Sequence, residues 1–231
     1  MENDTELEVR NISVNRLGLP VVSNVSLTAP TGEMTVLLGA NGAGRTTLLE
    51  ALSGGIPIAH GSARLGGIEL NGASPLKRTR AGLGHVEQGR TVFSELTVEE
   101  NLLVCRPKEH ISAAFTWFPE LSKRRNTRAG MLSGGEQQLL VIARALLCAP
   151  RVLMIDEMSL GLAPIIVRRL LSTLKELVSE GLGVLLVEQF AHLALSYGDT
   201  AYVMSGGRIV LKEECKSLIK TPERLHEAYL F

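Results

Sequence analysis

The glycine-rich stretch LLGANGAGRTTLLEALSG, at residues 37–54, combines the side chains and turns with the clearest chemical meaning. It fits the phosphate-binding pattern G-x-x-x-x-G-K-[ST] at Gly39, Gly44 and Thr46, except that Arg45 replaces the lysine. A short apolar run precedes the loop and a helical pattern follows it, which is the context that such a loop requires. The stretch predicts a nucleotide site with an altered cation, although a glycine-rich turn alone can be purely structural.

The chemistry of this loop depends on backbone N–H groups, which converge on phosphate oxygens at the start of the following helix. Thr46 is placed to hold Mg²⁺. Arg45 keeps a positive charge, but arginine is longer than lysine, planar and forked, so we expect phosphate binding to be partly kept and turnover to be slower. The loop residues predicted to contact the nucleotide are Gly39, Asn41, Gly42, Ala43, Gly44, Arg45, Thr46 and Thr47.

Two adjacent carboxylates follow the apolar run RVLMIDE at residues 151–157. A buried strand would deliver both acids to its C-terminal end. Asp156 could then reach the coordination sphere of Mg²⁺, and Glu157 could orient and deprotonate an attacking water. The alternative is a pair of solvated acids at a strand end, which the upstream glycine loop makes the weaker interpretation.

The segment LSGGEQQ, at residues 132–138, combines two adjacent glycines with a serine just before a helical pattern. Ser133 and Glu136 have the spacing of a capping box, which would be a purely structural role. A serine and two glycines at a helix start also form a ready anion site. The residues predicted to meet an anion here are Ser133, Gly134, Gly135 and Glu136.

Composition excludes several classes of protein. The chain has 231 residues with 24 acidic and 24 basic side chains, so it lacks the basic surplus of a nucleic-acid binder. Three widely spaced cysteines suggest neither a disulfide framework nor a metal site. The polar N-terminus is not a signal peptide, and the apolar runs are too short to span a bilayer. The basic run KRRNTR at residues 123–128 favours a solvated face.

Strand and helix patterns alternate along most of the chain, which predicts an α/β fold with a parallel sheet. Strand patterns also occur near the N-terminus, at the hairpin of residues 63–72 and at a second hairpin near residues 200–214. A more charged helical pattern between residues 97 and 128 predicts a small helical insertion.

The glycine loop, LSGGEQQ and RVLMIDE, in this order, resemble the ATP-binding cassette of ABC proteins over roughly residues 7–211. The stretches GANGAGRTTLL, VFSELTVEENL, DEMSLGLAP and LLVEQ are most similar to ATPase subunits of branched-chain amino acid importers; urea and short-chain amide importers use similar subunits. The resemblance implies a P-loop NTPase parallel-sheet core with an antiparallel β subdomain. It also implies one nucleotide-binding domain, residues 1–231, with an α-helical subdomain inserted at residues 97–131.

The family implies a mechanism and a set of partners. Two cassettes face each other head to tail, with ATP and Mg²⁺ between the glycine loop of one and the LSGGE residues of the other. Their closure drives membrane permease subunits, which receive solute from a solute-binding protein. The chain would be cytoplasmic and peripheral on the inner face of the cell membrane.

Several further positions acquire roles only through the resemblance. Gln88 matches the glutamine that contacts Mg²⁺ and water, although the neighbouring Glu87 leaves a one-residue shift open. Gln189 falls where most cassettes have a histidine facing the γ-phosphate, and residues 159–162 match a loop that crosses the dimer. Arg16 falls where an aromatic side chain usually stacks on adenine, and Met158 stands where proline is usual. Arg16 is equally well interpreted as a solvated side chain.

Two rival functions stay open at the level of sequence. Soluble ABC ATPases of translation or DNA repair usually carry two cassettes or long coiled-coil insertions, which this chain lacks. A degenerate cassette would bind ATP without turnover and would complete the site of an active partner. The retained Asp156 and Glu157 favour a working ATPase over the degenerate cassette.

Overall fold

A computed structural model describes residues 6–89, 91–105, 110–159 and 161–229. Across these ranges the chain forms two sheets and a set of packed helices. The smaller sheet is antiparallel, in the order β2-β1-β4-β5. Its strands are β1 (Glu6–Arg16), β2 (Leu19–Pro30), β4 (His60–Leu65) and β5 (Ile68–Glu69). The hairpin predicted at residues 63–72 is confirmed by the pairing of β4 with β5.

The larger sheet has the order β10-β9-β3-β8-β7-β6 and is parallel except for its edge strand β10. Every residue of β3, β7 and β8 is buried, as the continuous apolar runs of central parallel strands require. The strands are β3 (Met34–Gly39), β6 (Leu83–Val86), β7 (Val152–Asp156), β8 (Gly183–Glu188), β9 (Thr200–Ser205) and β10 (Arg208–Glu214). The predicted α/β fold with an antiparallel β part is therefore confirmed.

Helices cover the parallel sheet and fill the segment between β6 and β7. The longest are α6 (Gly134–Leu147) and α7 (Pro164–Ser179). The others are α1 (Arg45–Ser53), α2 (Pro75–Ala81), α3 (Val98–Leu103), α4 (Ser112–Trp117), α5 (Pro119–Ser122), α8 (Ala191–Tyr197), α9 (Cys215–Lys220) and α10 (Pro222–Tyr229). Short helices thus occupy the segment predicted as an insertion; the division into a separate subdomain stays a prediction.

Two apolar clusters lie on opposite faces of the larger sheet. The side chains of β3 alternate between them, because Val36 and Leu38 join the cluster that contains α6 and α7, whereas Leu37 joins the cluster that contains α1. Burial on both faces holds β3 in the centre of the sheet, and the glycine loop follows directly from its C-terminal end at Gly39. Across the described ranges, no helix combines the length and the apolar character needed to cross a bilayer.

Candidate nucleotide site

A cavity of about 410 Å³ lies at the C-terminal edge of the parallel sheet. Parallel strands bring their C-terminal ends to one edge, and ligands of open α/β sheets bind there. The cavity collects residues from five segments that are far apart in sequence. The described residues that line it are Val21, Asn41, Gly42, Ala43, Gly44, Arg45, Thr46, Thr47, Gln88, Glu157 and Gln189.

The glycine loop has the backbone conformation that its sequence predicts. Gly44 precedes α1 with φ +98°, and a Cβ there would come within 2.9 Å of the Val21 carbonyl oxygen. A Cβ on Gly39 would meet the Met204 carbonyl oxygen at 2.5 Å. Both positions therefore require glycine, which lets the loop lie close against its neighbours and leaves the N-terminus of α1 facing the cavity.

Arg45 forms an ion pair with the predicted base. Its side chain is 5% exposed, and Nη2 donates a hydrogen bond to Glu157 Oε1 at 2.8 Å. Nη1 is also buried and has no hydrogen-bond partner among the described residues. One guanidinium nitrogen of Arg45 thus donates to a carboxylate, and another has no acceptor among the described residues. A buried donor of this kind stabilises an anion that enters the cavity.

Glu157 is held from two sides. Gln88 Nε2 donates to Glu157 Oε2 at 2.8 Å, while Arg45 occupies the other carboxylate oxygen. The structure therefore brings Gln88, and not Glu87, into the cavity; Glu87 lines a separate depression beside His85. Glu157 also has φ +47°, a left-handed conformation that costs about 1 kcal/mol or more and persists only where neighbours enforce it.

The carboxylate of Asp156 indicates whether these residues could bind a divalent cation. Asp156 is 2% exposed, and neither carboxylate oxygen has a hydrogen-bond partner among the described residues. Burial raises the pKa of Asp156, and the nearby Thr46 hydroxyl opposes this shift. Two orphaned carboxylate oxygens beside a threonine hydroxyl are the hard oxygen ligands that Mg²⁺ prefers. The side chains present therefore fit Mg²⁺.

Two predicted groups lie apart from this cavity. The described lining residues include neither Arg16 nor Ser133; Gly39 and Asp156 are also not lining residues, but they belong to the segments that supply the lining. Arg16 is half exposed and its Nη1 lies 3.1 Å from Glu50 Oε2 on α1. Its role against adenine stays a prediction, and the ion pair offers a competing position for its guanidinium.

The LSGGEQQ segment begins α6 with a complete capping box. Ser133 accepts a hydrogen bond from the Glu136 backbone at 3.3 Å, and Glu136 Oε2 accepts one from the Ser133 backbone at 2.9 Å. Burial would raise the pKa of Glu136, but the hydrogen bonds from Ser133 and Arg124 lower it. Arg124 belongs to the basic run, so part of that run pairs with acidic side chains rather than facing water alone.

Sequence reasoning missed two residues near the cavity. Val21 of β2 lines it, and no sequence pattern marks a valine in a β-hairpin as a lining residue. Glu188 ends β8 and is 3% exposed. Glu188 belongs to the stretch VEQ, and the sequence analysis assigned a function there only to Gln189.

The family model for the ABC transporter matches residues 22–159, which include the glycine loop, Gln88 and Glu157 but not Gln189. The chain belongs to the ABC transporter family. It is an ATPase cassette of that family, and it shares the fold of a solved ATP-binding cassette in its ADP conformation. The two are 27% identical, with a TM-score of 0.85, over 97% of this chain and 98% of the other.

Two curated relatives of the chain are ATP-binding proteins of branched-chain amino acid transport. The high-affinity branched-chain amino acid transport ATP-binding protein BraG of Pseudomonas aeruginosa is 42% identical over 92% of this chain and 94% of its own length. The probable branched-chain amino acid transport ATP-binding protein LivF of Archaeoglobus fulgidus is 35% identical over 87% of this chain and 89% of its own length.

Proposed function

We propose that this chain is the ATP-binding and ATP-hydrolysing subunit of an importer for branched-chain amino acids or a related small solute. The observation that carries the proposal is the cavity in which Glu157, Arg45 and Gln88 meet the glycine loop. The similarity to BraG and LivF supports the class of solute. The cavity supports the ATP-binding part of the proposal and carries no information about the solute, because such transporters recognise the solute elsewhere.

The proposed chemistry assigns each group a task. Backbone N–H groups of the loop and Arg45 bind the phosphates. Thr46 and Asp156, with Gln88, are the groups that would hold Mg²⁺, which neutralises phosphate charge when bound. Glu157 orients the attacking water and takes its proton, and Gln189 lies at the cavity wall where the γ-phosphate would end.

The ion pair gives Arg45 a second role in this proposal. While Arg45 Nη2 and Gln88 Nε2 occupy both oxygens of Glu157, the carboxylate has less capacity to accept a proton from water. Phosphate offers the guanidinium a competing anion, so ATP must draw Arg45 away from Glu157 before the base is fully available. We therefore propose that the site works slowly. The same contact is the observation that favours the alternative, a cassette that binds ATP without turning it over.

The partners proposed for this chain follow from its family. A second cassette would complete the site with its own LSGGE residues, and the segment Ser133–Glu136 of this chain would complete the partner's site. Membrane permease subunits would hold the pair on the cytoplasmic face of the membrane, and a solute-binding protein would deliver the cargo indirectly. Nucleic acid has no place in this proposal.

The experiment that tests the proposal uses the complex with its partner cassette and permease subunits. Phosphate release at this chain's own site, measured in complexes that carry Ser133→Arg in this chain to block the partner's site, should fall at least about a hundredfold in Glu157→Gln, because the base is lost. The affinity for a fluorescent ATP analogue should change less than about threefold, because the loop is intact. Glu180→Gln, a change at an exposed glutamate after α7, is the matched control and should keep the parent's rate. Parent-level turnover in Glu157→Gln would remove Glu157 from the role of base.

A further inference from the structure

The loop that follows Asp156 is fastened to the neighbouring strand by a side chain with no role so far. Glu188, the last residue of β8, accepts two hydrogen bonds from Ser159. The Ser159 backbone N–H donates to Oε1 at 3.0 Å, and the Ser159 hydroxyl donates to Oε2 at 2.7 Å. One buried carboxylate therefore holds both donors of one serine, two residues beyond Glu157.

This contact continues the pairing of β7 with β8 past the end of the strands. The parallel register runs to the pair of Asp156 with Val187. Beyond it, the Glu157 N–H donates to the Val187 carbonyl at 3.0 Å. The Glu188 carboxylate then takes the Ser159 N–H in place of a further backbone carbonyl. Glu157 thus lies between a backbone bond on one side and a side-chain clamp on the other.

Glu157 needs such restraint, because its left-handed backbone persists only where the surroundings enforce it. Met158 contributes on the apolar side, with a buried side chain that lines a cavity of about 220 Å³ together with Leu162 and Leu186. That packing holds residue 158 by contact alone. The two bonds to Glu188 fix the direction of the chain at Ser159, because both the backbone and the side chain of the serine are engaged.

The strand that supplies the clamp also supplies a wall of the cavity. Gln189 follows Glu188 directly and lines the cavity with Glu157 and Gln88. We propose that Glu188 is a positioning residue of the ATPase site: by holding Ser159 it aims the Glu157 carboxylate into the cavity and sets its place relative to Gln189. This inference rests on the proposed function, because it names what orients the proposed base.

Two variants of Glu188 distinguish the effect of its hydrogen bonds to Ser159 from the effect of its negative charge. Glu188→Ala removes both acceptors. In Glu188→Gln, the amide oxygen can accept the Ser159 N–H and the amide nitrogen can donate to the Ser159 hydroxyl, so both contacts remain without the charge. Glu214→Ala is the matched control, since Glu214 also ends a strand but is exposed.

The first measurement is the kinetics of ATP hydrolysis at this chain's own site, in full complexes that carry Ser133→Arg to block the partner's site. Because a displacement of about 1 Å costs about a hundredfold in rate, Glu188→Ala should lower kcat at least about thirtyfold while KM for ATP changes less than about threefold. Glu188→Gln should stay within about threefold of the parent in kcat. A kcat within threefold of the parent for Glu188→Ala would overturn the proposal, and so would an equal loss in the alanine and glutamine variants.

The second measurement needs no activity and protects the test against an inactive parent or a misfolded variant. Hydrogen exchange of the peptide containing Ser159 should be faster in Glu188→Ala than in the parent, and unchanged in Glu188→Gln and Glu214→Ala. Ser159→Ala keeps the N–H bond, so it should show a smaller increase and a milder fall in kcat, about threefold to tenfold. Unchanged exchange in Glu188→Ala and Ser159→Ala would overturn the clamp. If the parent complex releases no phosphate, the proposed function fails while exchange still decides the clamp.

Discussion

At the scale of single residues, the ion pair between Arg45 and Glu157 decides how charge is arranged in the cavity. Both side chains are nearly buried, with 5% and 13% exposed, so solvent screens their attraction little. Arg45 also carries a buried donor that no described residue accepts. The guanidinium is therefore attracted in two directions, toward Glu157 and toward any phosphate that enters. Because Glu157 and phosphate compete for Arg45, arginine in place of the usual lysine should slow ATP hydrolysis at this site.

Arg45→Lys tests that consequence. A lysine ammonium is compact and cannot reproduce the planar fork of the guanidinium, so we expect the contact with Glu157 to weaken and the base to be released more readily. A hydrogen bond to a charged group contributes about 1.5–3 kcal/mol, and loss of about 1 kcal/mol of it on partial weakening corresponds to about fivefold in rate. Phosphate release at this chain's own site, measured with the partner's site blocked by Ser133→Arg, should rise by about that factor, and ATP affinity should change less.

Arg80→Lys is the control for this substitution, since Arg80 lies exposed on α2, and it should leave phosphate release unchanged. Equal or lower turnover in Arg45→Lys would show that the loop has adapted to arginine. In that case the ion pair would be a working part of the site and not a brake.

At the scale of elements, β6 carries a partly buried histidine, His85, whose protonation affects the stability of the fold. Burial lowers the pKa of His85 from its usual 6.5 to about 4, against the opposing influence of Glu50. His85 Nε2 is buried without a hydrogen-bond partner among the described residues. The unfolded chain therefore binds a proton at His85 more readily than the folded chain between pH 6.5 and about 4.

The sign of the pH dependence follows from this difference. Stability rises with pH wherever the unfolded state binds more protons, so the contribution of neutral His85 is complete above about pH 6.5 and is lost as pH falls toward 4. The full loss is at most about 3 kcal/mol. In urea unfolding at pH 7.5 and pH 5, His85→Gln should lose less stability on acidification than the parent does. His60→Gln, at an exposed position, should behave as the parent; a parent-like loss in His85→Gln would contradict this reading.

The elements were more predictable than their contacts. Apolar runs predicted β3 and β7, because a strand buried on both faces is apolar along its whole length, and the capping box predicted the start of α6. The bond between Arg45 and Glu157 joins residues 112 positions apart, and local sequence gives no signal for it. The clamp of Ser159 by Glu188 and the pair of Arg16 with Glu50 depend equally on how strands and helices meet in space.

At the scale of the whole molecule, the LSGGEQQ segment lies outside the described lining of the cavity. In the proposed head-to-tail pair, Ser133 and its neighbours at the start of α6 therefore serve the opposite ATP. The capping box and Arg124 hold this helix start in place before any partner arrives. We propose that ATP is hydrolysed between the cavity of one cassette and the LSGGE residues of another.

The measurement that tests this claim most directly is steady-state phosphate release by the complex carrying Ser133→Arg in this chain. A bulky side chain there blocks the γ-phosphate position of the partner's site but leaves this chain's own cavity unaltered, so the isolated variant should bind a fluorescent ATP analogue as the parent does. We expect phosphate release by the complex to fall at least about tenfold. Parent-level phosphate release in Ser133→Arg, with ATP binding intact, would contradict the claim.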